Sequence, residues 1–329
     1  MSPPPWPGST PGEGSVDNVV MGSSKVSVQG APRDLSSWTS LARRLESAGF
    51  SALLVGDHPG DGSSPWPALA AAAAVTSTLD LGTCVLQVGV REPIDIADDA
   101  ATLNLLAPGR VILGMGAGHT PAEWEARGRT RPNPAGRVGR LKEVFDSVAR
   151  LLDGQTVTTT GRYVTLYNAA LSAAPKDQRT VRLAVGGGNT NLLRFAAQRA
   201  DIIGLSGLGR TQPDGHRHEI RWTPHQVQAQ IDLIAQASPA GRPSADLEVL
   251  VQTVQETADR RQAAQVVADK IGGYLPVENL LAAPYLLVGS PRQIADQLLK
   301  QQQQWGIDRY VVRESALPVM EKVLSCLPD

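Results

Sequence analysis

The sequence predicts an α/β fold, a (β/α)8 barrel of the TIM type with an insertion after its fourth helix. Two observations lead to this prediction. Eight short runs rich in β-branched residues alternate with segments that carry apolar residues at helical spacing. The alternation continues through most of the 329 residues without a domain boundary at the midpoint, which is typical of a closed barrel. A doubly wound open sheet with a helical appendage is the alternative.

The first four strand–helix units have clear local signals. Each predicted strand is a short apolar run, and these runs cover 25–30, 52–57, 79–88 and 110–118. Each is followed by a segment with apolar residues three and four apart, at 34–50, 67–78, 94–107 and 137–154. Gly49 marks the end of the first of these helices.

The chain then departs from the repeat and returns to it. β-branched residues on both sides of Gly161 predict a hairpin outside the barrel, and this is the expected insertion. Four more strands follow, at 181–187, 201–206, 246–254 and 308–314. Helical patterns cover 191–200, 223–238, 260–273 and 290–306.

The two ends of the chain differ in composition. Residues 1–24 are rich in Pro, Gly and Ser, and we expect them to form a disordered leader. This start lacks the basic and then apolar order of a secretory signal. Residues 25–329 are predicted to form a single barrel domain.

The balance of charge narrows the classes of function. The formal net charge is −1, and the arginines form only small clusters, which argues against a surface for nucleic acid or membrane. The alanine-rich stretch 65–79 is too short to span a bilayer. The two cysteines, Cys84 and Cys326, suggest neither a disulfide framework nor a metal site. We therefore expect a cytoplasmic protein with a small-molecule substrate.

Functional groups of such a barrel cluster where the strands end. Asp57 and His58 follow the second strand, where an imidazole can exchange protons near neutral pH. After the fourth strand, a glycine run with Gly116 and Gly118 leads to His119. We expect these glycines to form a wall where a ligand approaches the backbone, with His119 and Glu123 facing the pocket. An exposed turn is the alternative at both places.

The third strand has an unusual composition. Gly82 and Cys84 within its β-branched run indicate a bulge, or a close approach of the backbone to a planar group. An ordinary internal strand with a buried thiol is the alternative.

Three consecutive glycines, Gly186, Gly187 and Gly188, stand between the fifth strand and a helix. Since they carry no side chains, their amides can converge on an anion, and the positive end of the helix adds to the attraction. Asn189 and Thr190 suit the helix N-cap and can also donate to phosphate oxygens. A phosphate site is predicted here, with a tight turn as the alternative.

Three histidines lie after the sixth strand, at His216, His218 and His225. Their spacing does not match that of helical metal ligands. We interpret this segment as a polar loop and expect no metal.

Six blocks along the chain resemble the luciferase-like flavin and deazaflavin oxidoreductase superfamily, and within it the actinobacterial branch that uses coenzyme F-420 (F420). The resemblance runs from Val26 to Val312 and depends on the order and spacing of the blocks. They are LARRLESAGFSALLVGDH, AAAAVTSTLDLGTCVL, REPIDIADDAATLNLLAPGRVILGMGAG, RVGRLKEVFDSVARLLDG, VRLAVGGGNTNLLRFAAQRADIIGL and YLLVGSPRQIADQL.

This resemblance implies a bacterial-luciferase type of barrel with a flavin or deazaflavin across its strand ends. It assigns the cofactor phosphate to residues 186–190, and a non-prolyl cis peptide that supports the central ring to Cys84–Val85. It gives His58 the role of proton donor or acceptor beside the ring, with Asp57 as its orienting neighbour. Glu92 and His119 depart from the family pattern near the barrel mouth.

The resulting hypothesis is an F420-dependent oxidoreductase that transfers hydride between the deazaflavin and a small organic substrate. His58 is the candidate acid or base, and His119 is the second choice or a substrate contact. An FMN-dependent two-component monooxygenase of the same fold is the first alternative. A redox-inactive binding protein is the second. A homodimer and a separate enzyme that reduces the cofactor are the expected partners.

Overall fold

The computed structural model describes residues 24–173, 180–211 and 218–328. The predicted leader lies outside these ranges except for Ser24. The strands are β1 (Lys25–Gly30), β2 (Ala52–Val55), β3 (Asp80–Gln87), β4 (Val111–Gly116), β5 (Val157–Thr160), β6 (Thr165–Ala169), β7 (Arg182–Gly186), β8 (Ile202–Leu205), β9 (Leu208–Thr211), β10 (His218–Ile220), β11 (Asp246–Leu250), β12 (Thr253–Glu256), β13 (Leu286–Gly289) and β14 (Ile307–Arg313).

The helices lie between these strands and after the last of them. They are α1 (Leu35–Ser47), α2 (Pro65–Ala73), α3 (Pro93–Leu106), α4 (Pro121–Glu125), α5 (Pro134–Leu152), α6 (Thr190–Arg199), α7 (Pro224–Ala237), α8 (Arg260–Lys270), α9 (Val277–Ala282), α10 (Pro291–Trp305) and α11 (Leu317–Leu324). A 3-10 turn at Glu314–Ala316 precedes α11. No helix within the described ranges is both long and apolar enough to cross a membrane.

Eight strands close into one barrel in the order β1-β14-β11-β8-β7-β4-β3-β2. Every neighbouring pair in this ring is parallel. The ring follows the order of the chain, as expected when each strand is joined to the next by a helical connection. The predicted (β/α)8 barrel is confirmed, its strands are the eight that the sequence predicts, and the open-sheet alternative is wrong.

The antiparallel hairpin β5–β6 follows α5, the fourth helix of the barrel repeat. This is the predicted insertion. Two further strand pairs lie outside the barrel and are not predicted by the sequence pattern: the antiparallel pair β9–β10 and the parallel pair β12–β13. Their strands are only three or four residues long, so period-2 alternation gives little signal.

The prediction of one continuous strand over 246–254 is wrong. The barrel strand β11 ends at Leu250, and the backbone amides of Gln252 and Thr253 donate to the carbonyl of Tyr285 at 2.9 and 3.2 Å. The chain therefore leaves the barrel and pairs with β13. Strand-forming residues continue across the break, which conceals it in the sequence.

Helix ends follow local sequence signals. Asp34 caps α1 by accepting a hydrogen bond from the amide of Ser37 at 2.8 Å. Ser290 and Gln293 form a capping box at the start of α10. Gly306 ends that helix in the left-handed conformation, with φ +68°. The short helices α4, α9 and α11 have too few residues for a periodic pattern to predict them.

The core has two layers. The larger layer lies between the strands and the surrounding helices. The smaller fills the inside of the barrel with side chains from alternating strand positions, as the geometry of a closed sheet requires. Its buried members are Ala52, Leu54, Ile112, Ala184, Ile202 and Val311.

Strands β3 and β4 pack too closely to admit side chains at two positions. A β-carbon at Gly82 would lie 2.1 Å from the carbonyl oxygen of Ile112, and one at Gly114 would lie 2.2 Å from that of Thr83. The Thr83 hydroxyl also donates to the Gly114 carbonyl at 2.8 Å. The register of this pair shifts between Thr83 and Leu86.

We expect Gly114→Ala to lower the free energy of unfolding by about 2 kcal/mol or more, because the new methyl group would force the β3 and β4 backbones apart. Urea denaturation followed by circular dichroism measures this loss. Gly204→Ala in β8 is the matched control, since its β-carbon would meet nothing closer than 3.5 Å. It should change the stability by less than about 1 kcal/mol. Equal stability of the two variants would contradict the proposed close packing.

Candidate active site at the carboxyl ends of the strands

The predicted site residues lie at the ends of neighbouring strands. His58 and Asp57 follow β2, Cys84 and Val85 lie within β3, and His119 follows β4. The glycine segment at 186–188 ends β7. Because β2, β3, β4 and β7 are consecutive in the ring, these residues share one side of the barrel mouth.

His58 is held by a buried carboxylate. Its Nδ1 lies 2.7 Å from Oε1 of Glu123 on α4, and its ring is half exposed while Glu123 is buried. The hydrogen bond to Glu123 raises the pKa of His58 and outweighs partial burial. Burial would raise the pKa of Glu123, but the hydrogen bonds from His58 and Gln87 lower it on balance. The two groups therefore form a charge-assisted pair near neutral pH.

Asp57 does not orient His58. Its carboxylate is buried and accepts two hydrogen bonds from Arg91 and one from the amide of Gln87, all between 2.8 and 3.0 Å. The carboxylate of Asp57 therefore binds the end of β3 and the loop that follows it. The residue that orients His58 is Glu123.

The side chain of Gln87 links helix α4 to the loop after β3. Its Nε2 donates to Oε2 of Glu123 at 3.0 Å, and its Oε1 accepts from the amide of Gly89 at 2.7 Å. Gly118 makes room for it, since a β-carbon there would lie 2.2 Å from the Gln87 amide group. Gly118 also has φ +70°, which glycine adopts without strain.

His119 and His218 meet beside this pair. The His119 ring centroid lies 6.1 Å from that of His58 and 5.1 Å from that of His218 on β10. Burial and the neighbouring His218 lower the pKa of His119 to about 4. His119 is therefore a neutral imidazole at physiological pH. The His216 position lies outside the described residues, and the described residues contain no group of three or more His, Cys, Asp or Glu side chains that could hold a metal ion.

The peptide bond Cys84–Val85 is cis, as the resemblance implied. The side chain of Gln29 donates a hydrogen bond to the Cys84 carbonyl. Desolvation raises the pKa of the Cys84 thiol to about 12, with a smaller contribution from Glu248. This thiol is therefore protonated and a poor nucleophile.

Neighbouring glycines leave room for the side chain of Val85. A β-carbon at Gly116 would lie 2.3 Å from Cγ2 of Val85, and one at Gly186 would lie 2.9 Å from its Cγ1. Both Cys84 and Val85 keep part of their surface accessible. The absence of side chains at Gly116 and Gly186 thus serves the packing of Val85 directly.

The segment before α6 has several free amides. The amide of Gly187 donates to the carbonyl of Gly204 at 3.0 Å, and Asn189 caps the helix by accepting from the amides at positions 191 and 192. No acceptor within the described residues reaches the amides of Gly188, Asn189 and Thr190. Gly188 is confined, since a β-carbon there would lie 3.0 Å from the Leu208 carbonyl. This donor set fits a phosphate group.

Sequence reasoning missed the groups that orient the site. Gln29, Gln87 and Arg91 are absent from the predicted set, and His218 is predicted only as part of a polar loop. Gln87 ends β3 and Arg91 follows it, so their position at the mouth could have been inferred. The pairing of His58 with Glu123 joins residues 65 positions apart, and no local pattern predicts it.

Comparison with known proteins identifies the family. A family model described as luciferase-like monooxygenase matches residues 18–282. The chain belongs to this family. An F420-dependent glucose-6-phosphate dehydrogenase of Beutenbergia cavernae is 37% identical over 191 residues, which are 55% of this chain and 55% of that protein. The chain thus spans about half the length of the F420-dependent relatives it matches.

Other proteins are similar over more of the chain. The 4-hydroxyprotoasukamycin monooxygenase of Streptomyces nodosus subsp. asukaensis is 30% identical over 264 residues, 78% of this chain and 67% of that protein. The structure of an F420-dependent secondary alcohol dehydrogenase with an F420–acetone adduct has a TM-score of 0.70 at 17% identity and covers 93% of this chain and all of that one. The F420-dependent tetrahydromethanopterin reductase of Methanopyrus kandleri has a TM-score of 0.70 at 18% identity, covering 93% and 98%. These two likenesses show the fold.

We expect Glu123→Gln to lower the pKa of His58 toward its ordinary value, because the charge that favours the imidazolium is lost while the shape is kept. Titration of the His58 ring protons by NMR measures the pKa. Glu125→Gln on the same helix removes an exposed carboxylate and should leave the His58 pKa unchanged. An unaltered pKa in Glu123→Gln would rule out Glu123 as the cause.

Proposed function

We propose that this chain is an F420-dependent oxidoreductase that transfers hydride between the deazaflavin and a small organic substrate. The observation that carries the proposal is the His58–Glu123 pair, which lies at the same barrel mouth as a helix N-terminus with free amides. One element suits proton transfer and the other suits a cofactor phosphate. The similarity to F420-dependent dehydrogenases in sequence supports the choice of cofactor.

The cofactor would be held at two places. The amides of Gly188, Asn189 and Thr190 would bind its phosphate, and the Cys84–Val85 segment would support its ring system. When bound, a deazaflavin supplies a carbon that accepts or donates hydride, while the protein fixes its position and handles the proton.

His58 would hold the transferred proton on Nε2. Its Nδ1 is occupied by Glu123, so Nε2 is the nitrogen left for a substrate. Because its pKa is raised, His58 is more often protonated near neutral pH than an ordinary histidine, and it can deliver a proton to a substrate oxygen. In the opposite direction, the neutral form accepts that proton.

His119 would contact the substrate as a neutral imidazole, since its pKa of about 4 excludes a charged form at physiological pH. A homodimer, a separate enzyme that regenerates the cofactor and a cytoplasmic location complete the proposal. The last of these rests on the composition of the chain and its two unpaired cysteines.

An FMN-dependent monooxygenase is the second candidate. The 4-hydroxyprotoasukamycin monooxygenase matches 78% of the chain, more than the F420-dependent relatives do. The free amides before α6 suit an FMN phosphate equally well. A redox-inactive protein would bind neither cofactor.

Titration with F420 and with FMN, followed by fluorescence, separates these candidates. We expect F420 to bind more tightly than FMN. Asn189→Asp should weaken F420 binding at least tenfold, because the carboxylate keeps the helix cap but repels a phosphate. Ser290→Asp introduces the same charge at the N-cap of α10 and should change the affinity less than twofold. Tight FMN binding without F420 binding would reject the first candidate.

We expect His58→Ala to reduce turnover about 10²–10⁴-fold at saturating F420, because the proton is no longer exchanged at Nε2. The F420 dissociation constant should change less than threefold. The change in deazaflavin absorbance measures turnover. His225→Ala, an exposed histidine on α7, is the control. Wild-type turnover in His58→Ala would exclude His58 from the reaction.

A further inference from the structure

Five arginines lie in the segment after α4 and at the start of α5, at positions 127, 129, 131, 137 and 140. Two of them have several partners. Arg129 forms an ion pair with Glu92 at 2.5 Å. Arg140 is buried, and its guanidinium donates to the carbonyls of Gly89, Arg91 and Tyr163 at 2.8–2.9 Å. These two arginines contact the loop after β3, and Arg140 also binds the turn between β5 and β6.

Arg131 and Arg137 lack such partners. No carboxylate in the described part of the chain forms an ion pair with Arg131 or Arg137. The Nε of Arg131 is buried without a hydrogen-bond partner among the described residues, and Arg137 donates to the carbonyl of Pro132 at 2.9 Å. Burial, together with the charge of Arg131, lowers the pKa of Arg137. A partly buried guanidinium without a counter-charge is unfavourable unless an anion binds it.

Arg131 lies near the candidate active site, since its charge acts on His119, whose ring lies 5.1 Å from that of His218. The charge of Arg131 also acts on Arg137, which places the two guanidiniums near each other. We define Arg131, Arg137, His119 and His218 as the rim cluster. It concentrates potential donors next to His58, and its nearest acid, Glu123, is already occupied by His58 and Gln87.

We propose that Arg131 and Arg137 bind a phosphate or carboxylate group of the substrate, with His119 beside it. The inference rests on the proposed function and names its substrate class: small organic anions. Guanidinium groups bind both anions in bidentate geometry. The ring centroid of His58 lies 6.1 Å from that of His119, so an anion bound beside His119 would lie near the proposed proton donor. The acidic tail of the cofactor is the other source of the same chemistry.

Inorganic phosphate is the probe, and the NMR signals of the histidine rings and the Gly188 amide report where it binds. We expect phosphate to shift the His119 signals and to raise the pKa of His119. Its affinity at this site should fall at least tenfold in Arg131→Gln and in Arg137→Gln. Arg127→Gln removes an exposed arginine of the same segment and should change the affinity less than twofold. Equal affinities in all three variants, or shifts at Gly188 alone, would overturn the proposal.

The same titration with F420-loaded protein identifies the source of the anion. Simultaneous binding of phosphate and F420 supports a substrate subsite, whereas competition between them assigns the arginines to the cofactor tail and overturns the proposal. Phosphate binding to the free protein is measured without turnover. Failure of F420 to bind would therefore reject the proposed function while leaving the anion site intact.

Discussion

The close packing of β3 against β4 determines the shape of the candidate site. Gly82 and Gly114 allow the two backbones to approach to a distance that no side chain tolerates, and the register then shifts before Leu86. Within this shift, Val85 packs against glycines of β4 and β7, and beyond it Gln87 reaches Glu123. The positions of the Cys84–Val85 segment and of the His58–Glu123 pair thus depend on the same strand contact.

The protein gives two neighbouring histidines opposite electrostatic environments. Glu123 raises the pKa of His58, while burial and nearby cations lower that of His119 to about 4. The ring centroids are only 6.1 Å apart. In such a site, the imidazole with the raised pKa is suited to proton transfer, and the neutral imidazole is suited to hydrogen bonding. Opposite pKa shifts of neighbouring groups are typical of enzyme sites.

The fold could be predicted from the sequence because each barrel unit carries its own signals. Apolar runs, helical spacing and residues such as Gly49 and Asp34 are local, and the eight strands follow from them. The cis bond at Cys84–Val85 was predicted through the family resemblance rather than through local physics. The prediction that Asp57 orients His58 was wrong, because the Asp57 carboxylate is bound instead by Arg91 and the Gln87 amide. Pairings between loops, such as Glu123 with His58, depend on the closed barrel and have no local pattern.

The filled interior of the barrel also constrains how ligands exchange. Ala52, Leu54, Ile112 and Val311 are buried together inside the barrel, so side chains fill the space beneath the mouth. Ligands of the proposed site would therefore enter and leave on the same side, at the carboxyl ends of the strands.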